Sequence, residues 1–109
     1  LFVNSNLAVK PLTLSTNSGA LNGSSQTAFQ IGKVVYITGH INPKNTGTDS
    51  VLMGSVPVPK SDTDIYFNLS TKTASAYGYG RITLGENTLK FTTSEAGANY
   101  VFSFCYVTN

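Results

Sequence analysis

Tyr100-Val101-Phe102-Ser103-Phe104-Cys105-Tyr106-Val107 is the stretch on which the architecture turns. Its aromatics fall at every second position. Tyr100, Phe102, Phe104 and Tyr106 therefore share one face of an extended strand, and Val101, Ser103, Cys105 and Val107 share the other. A strand with one face in water is polar on that face, and this one is fairly apolar on both. It belongs in the centre of a sandwich, or against a neighbouring subunit.

The same period of two recurs upstream. Val35, Ile37 and Ile41 alternate with Val34, Tyr36 and His40, and Ile65, Phe67 and Leu69 alternate with Tyr66, Asn68 and Ser70. Ile82 and Leu84 share a face that Leu89 and Phe91 continue after a turn at Gly85-Glu86-Asn87. Gln26 to Ile31 reads as a further short strand. Leu7, Val9, Leu12 and Leu14 supply one more, bent by Pro11 and so suited to an edge. Asn42 to Gly47 is a loop by its turn chemistry, and Val56-Pro57-Val58-Pro59 is extended without pairing on both sides. No window carries apolar residues at helical spacing. Short strands separated by turn signals predict an all-β fold, a small β-sandwich or jelly-roll-like domain.

The chain has 109 residues, enough for one domain with a modest core that oligomerisation would help. The expectation is a single domain over residues 1–109, with 1–25 a looser lead-in from a longer chain; the opening on Leu1 and not Met reads as a fragment of a longer polypeptide or a processed form. Charged residues make up only 11%, well under the roughly 25% of an average domain. Ser, Thr and Asn carry the polarity instead. The net charge of +2 comes from scattered groups with no basic run, so nucleic acid is not an expected partner. No apolar run approaches the ~20 residues of a membrane helix, so no membrane partner is expected. Cys105 stands alone, which excludes an internal disulfide and a paired-cysteine zinc site; it reads as a small buried hydrophobe, with a reactive thiol as the alternative.

Catalytic constellations are hard to assemble from these residues. His40 is the only histidine, and no Gly-x-Ser-x-Gly elbow accompanies it. Asp62-Thr63-Asp64 lacks the remaining ligands of a calcium loop, and nothing places Glu86 opposite Glu95 as a glycosidase pair. The expectation is a binding protein with no cofactor, no metal and no enzymatic activity. Ala74-Ser75-Ala76-Tyr77-Gly78-Tyr79-Gly80-Arg81 is more informative, because Tyr77, Tyr79 and the only arginine, Arg81, share one face when extended. Tyrosine rings stack on the apolar faces of sugars, while Arg and Asp side chains grip hydroxyls. The rival reading is a strand whose tyrosines fill subunit contacts.

The ordered segments resemble the C-terminal head domains of bacteriophage tail receptor-binding proteins, in particular those of phages infecting lactic acid bacteria. Gly32-Lys33-Val34-Val35-Tyr36-Ile37-Thr38-Gly39-His40-Ile41 is similar to their early strand, and Met53 to Pro59 to the stretch that follows it. Gly80 to Phe91 resembles their late hairpin, and Tyr100 to Thr108 their closing aromatic strand. The resemblance covers about Gly32 to Asn109. It implies a homotrimeric β-sandwich head at the virion tail tip or baseplate, joined to other tail proteins through a part N-terminal to this chain. Its implied partner is a host cell-wall saccharide. Tyr77, Tyr79 and Arg81, with Asp62, Asp64 and His40, are the expected ligand-binding residues. The alternatives are a structural domain that trimerises or caps a virion fibre without a ligand of its own, and a depolymerase, which the missing acid/base pair disfavours.

Overall fold

The computed structural model describes residues 8–109, and Leu7 of the expected first strand lies outside them. Nine strands follow one another in the described chain: β1 Val9–Leu12, β2 Ser15–Thr16, β3 Leu21–Ile31, β4 Val34–Pro43, β5 Gly47–Gly54, β6 Ile65–Thr71, β7 Gly78–Ile82, β8 Thr88–Thr93 and β9 Tyr100–Val107. A single 3-10 turn, Ser18–Ala20, is the helical element among them. The strands form one antiparallel sheet in the order β1-β3-β4-β9-β6-β7-β8-β5-β2. This sheet folds over on itself into two layers, β1-β3-β4-β9 and β6-β7-β8-β5-β2, so the protein is an all-β sandwich.

The alternation read from the sequence is what builds the interior. Val35, Ile37 and Ile41 of β4 and Tyr100, Phe102 and Tyr106 of β9 face Phe67 and Leu69 of β6, Ile82 of β7 and Leu89 and Phe91 of β8. Each fully buried side chain of this kind stabilises the fold by roughly 1.5–3 kcal/mol. Buried phenols keep their hydrogen bonds. The Tyr100 hydroxyl donates to the Glu95 carbonyl and accepts from the Glu95 amide, both at 3.1 Å, which closes the loop leading into β9. The Tyr106 hydroxyl donates to Pro57 O at 2.8 Å, and burial pushes this phenol's pKa well up. With Thr108 Oγ1 donating to Val58 O and the Lys60 amide to Val107 O, the Val56–Pro59 stretch is tied to the end of β9.

The two layers meet at a seam between β6 and β9. There the backbones pair only at Ser70 with Val101 and Thr71 with Tyr100. Continuing that register would set Phe67 opposite Phe104. Instead of backbone hydrogen bonds, the two rings stack there at 4.1 Å with an interplanar angle of 7°. Phe67 also meets Phe91 edge-on at 5.7 Å and tilts against Phe102 at 5.7 Å. The space for its ring comes from Gly80, its partner across β6 and β7, where a Cβ would run into the ring.

Four expectations need correction. The loop expected over residues 42–47 is shorter, because Asn42 and Pro43 belong to β4, where they pair with β3, and Gly47 opens β5. Cys105 is exposed, because the odd positions of β9 face outwards and place it opposite Tyr36 on the outer surface. Leu84 does not share the buried face of Ile82: it lies in the turn beyond β7 and is exposed. The strand expected from Gln26 begins at Leu21, where polar side chains are carried by backbone pairing with β4. Pro11, by contrast, does sit in the outermost strand, β1, opposite Phe29.

Replacing Gly80 by Ala drives a methyl into the Phe67 ring and destabilises the fold by roughly 1–3 kcal/mol in urea unfolding. Gly23→Ala, where a Cβ meets nothing within 4 Å, serves as the control and leaves the midpoint near that of the parent. Equal midpoints for the two variants would show that Phe67 is not packed on Gly80.

Candidate functional site

The outer face of the β6-β7-β8-β5 layer is where aromatic and charged side chains converge. Period two turns Tyr79 and Arg81 of β7 outwards, and the β6–β7 register sets Tyr66 opposite Arg81 and Asn68 opposite Tyr79. The Tyr66 and Tyr79 rings lie 6.1 Å apart, tilted by 44°. Tyr77 stands just before β7, held by its amide donating to Ser94 Oγ at 2.7 Å and its carbonyl accepting from the Ser94 amide at 3.0 Å. Tyr77, Tyr66 and Tyr79 are 72%, 62% and 40% exposed, so three phenol rings stand on one open surface.

Arg81 organises this surface. Its Nε and Nη2 donate to the two oxygens of Asp49 at 3.0 and 2.9 Å, and its Nη1 donates to Asp64 Oδ2 at 2.9 Å. Such a bidentate fork fixes a guanidinium in direction as well as in place. The Tyr66 phenol against it, and then the Asp49 and Asp64 carboxylates, raise the Arg81 pKa above its usual value. Asp64 also accepts from the Leu84 amide at 2.8 Å, which ties the entry to β6 to the β7–β8 turn. Asp49 reaches Arg81 because β5 is irregular there: its pairing with β8 shifts between Gly47 and Ser50, and Asp49 adopts φ 51°. The bulge turns its carboxylate across β8, while its amide donates to Thr92 Oγ1 at 3.1 Å.

The residues expected from the sequence are thus distributed unevenly. Tyr77, Tyr79, Arg81 and Asp64 share the surface just described. Arg81 and Asp64 satisfy each other there, so their contribution is to hold the platform. Asp62 is exposed in the turn before β6. His40 lies on the other layer, in β4, with its Nδ1 2.8 Å from Ser25 Oγ. Tyr66, Asn68 and Asp49 belong to the site and were not singled out by sequence. The alternation of Tyr66 and Asn68 with Phe67 signalled that they face outwards, but only the β6–β7 register brings them to Tyr79. Among the described residues no group of three or more His, Cys, Asp or Glu side chains is placed to hold a metal ion. Chemically, the surface offers stacking faces, phenol hydroxyls and an amide on a braced strand pair. No protein-family model, curated protein or solved structure matches the chain.

The left-handed backbone at Asp49 separates its two roles. Asp49→Gly removes the carboxylate and keeps a residue that adopts φ 51° freely, whereas Asp49→Ala removes the carboxylate and adds strain of about 1–2 kcal/mol. Thermal melts are expected to rank parent, Asp49→Gly, Asp49→Ala in falling order. An Ala variant as stable as the Gly variant would contradict the bulge geometry.

Proposed function

We propose that the domain is the host-recognition head of a bacteriophage tail, binding the cell-wall saccharide of a Gram-positive host as a homotrimer. The observation that carries this reading is the trio of exposed tyrosines on a strand pair braced by the Asp49–Arg81–Asp64 network. A tyrosine presents a rigid stacking face and a hydroxyl with little loss of side-chain entropy, which suits the apolar faces and polar rims of sugar rings. A braced surface also orders little further on binding, so less of the contact energy is lost. The order of the sequence segments from Gly32 to Asn109 points to the phage-head setting.

The opposite layer supports assembly. On its outer face the register aligns Val9, Ile31, Val34 and Val107 in one row, and Pro11, Phe29, Tyr36 and Cys105 in the next. Val9, Val107 and Tyr36 are exposed there, and Phe29 stacks on Tyr36 at 5.1 Å. An apolar sheet face of this kind is a surface for subunit contact, and it lies away from the tyrosines. Three weak sugar sites on one trimer gain avidity of roughly 10²–10⁴ where the geometry lets them engage together.

The test is binding of the trimer to host cells and to cell-wall oligosaccharides. Tyr66→Ala and Tyr79→Ala are each expected to weaken binding about tenfold, in line with the loss of one stacking contact, with melting temperature and light-scattering mass unchanged. Parent-like binding by both variants would place the ligand elsewhere. A monomeric mass at micromolar concentration would contradict the assembly.

A further inference from the structure

Beside the tyrosines, the seam between β6 and β9 opens into a slot. The strands stop pairing beyond Ser70 and Val101, and a cavity of about 560 Å³ lies between them, within the roughly 300–1,000 Å³ of small-ligand sites. Its floor is aromatic: Phe67 and Phe102 are almost wholly buried, and Phe104 stacked on Phe67 is partly open. Its rim is Thr38, Asn68, Ser70 and Ser103, and Tyr66 stands on its wall as well as on the platform. Thr38 Oγ1 donates to Phe102 O at 3.2 Å and keeps its lone pairs. Among the described residues, nothing is hydrogen-bonded to the side chains of Asn68, Ser70 or Ser103, so these groups are free for a ligand.

The slot has no Lys, Arg, His, Asp or Glu in its lining. Arg81, opposite Tyr66 in the β6–β7 register, is held by two carboxylates. A phosphate or carboxylate placed in the slot would lose its hydration without gaining a charged partner, which is costly. A neutral ring carrying hydroxyls would lose little, since hydroxyl and amide groups replace water and the partly open Phe104 and the exposed Val101 meet its apolar face. An extended peptide fits less well. The slot is closed at one end by the Ser70–Val101 and Thr71–Tyr100 pairs. The Phe67–Phe104 stack also occupies the space into which an added strand would lie.

We infer that the slot between β6 and β9 is the primary subsite for one uncharged sugar residue of the ligand, and that the adjoining tyrosines carry its neighbours. This inference rests on the saccharide reading above and narrows it to neutral glycans over phosphate-bearing wall polymers.

Calorimetry on the full chain distinguishes the possibilities, with neutral cell-wall-type oligosaccharides, a poly(glycerol phosphate) and an extended neutral peptide as probes. Ser103→Tyr fills the slot from the exposed face of β9, and Asn68→Ala removes a rim amide without filling it. Neutral oligosaccharide binding is expected to vanish in the first variant and to weaken about tenfold in the second, the scale of one well-formed polar contact, with melting temperature and assembly unchanged. If both variants bind like the parent while Tyr79→Ala does not, the slot assignment is wrong and the saccharide reading stands. Preference for poly(glycerol phosphate) overturns the neutral specificity. Peptide binding blocked by Ser103→Tyr makes the slot a strand-docking site instead. A parent that binds no saccharide overturns this inference and the saccharide reading together.

Discussion

Phe67 holds the two layers together at the point where their hydrogen bonding gives out. A sheet that folds over must stop pairing somewhere, and here it stops between β6 and β9 after two residue pairs. Buried backbone left unpaired is costly, and a gap in the core would forfeit dispersion contacts on both sides. The ring of Phe67 fills that gap: it lies on Gly80, meets Phe91 and Phe102, and stacks on Phe104. Truncating a buried Phe costs roughly 3–5 kcal/mol, a large part of the 5–15 kcal/mol that holds a domain folded. Losing the ring at this place would therefore remove a large part of the sandwich's stability.

The same constraint creates the site. Where the strands part, the aromatic interior comes within reach of the outer surface, and side chains that elsewhere would sit over a continuous ladder become the rim of a slot. Tyr66 and Asn68 occupy this border because they alternate with Phe67 and Leu69 along β6. Binding groups placed next to a tightly packed element inherit its rigidity. On the far side of the platform, the Arg81 fork does the corresponding work by tying β7 to the β5 bulge and to the entry of β6. Hydrogen-bonded and packed side chains on both flanks hold the strand pair that presents the tyrosines.

Much of the fold was legible because burial writes a period of two into β4, β6, β8 and β9. Val35, Ile37 and Ile41 or Phe67 and Leu69 declare their face without any knowledge of the partner strand. β5 was not legible for the converse reason. Its register shifts between Val51 and Met53, so that Leu52 and Met53 are buried one after the other and the alternation disappears. Asp49, which sits on the same irregular strand, was hidden with it. Within the site, the shared face of Tyr77, Tyr79 and Arg81 follows from spacing within one strand. The neighbourhood of Tyr66 and Tyr79 does not, since it depends on which residues of β6 and β7 are opposed. The engagement of Arg81 by two carboxylates likewise joins positions 17 and 32 residues away in sequence.

The most direct measurement of where a ligand sits is a backbone NMR titration of the isotope-labelled protein with neutral cell-wall oligosaccharides. Amide shifts are expected to concentrate at residues 66–70, 101–104 and Thr38, extend to Tyr79, and leave Ser25, Tyr36 and His40 unmoved. Shifts centred on Tyr36 and His40, with the seam between β6 and β9 silent, would contradict this placement.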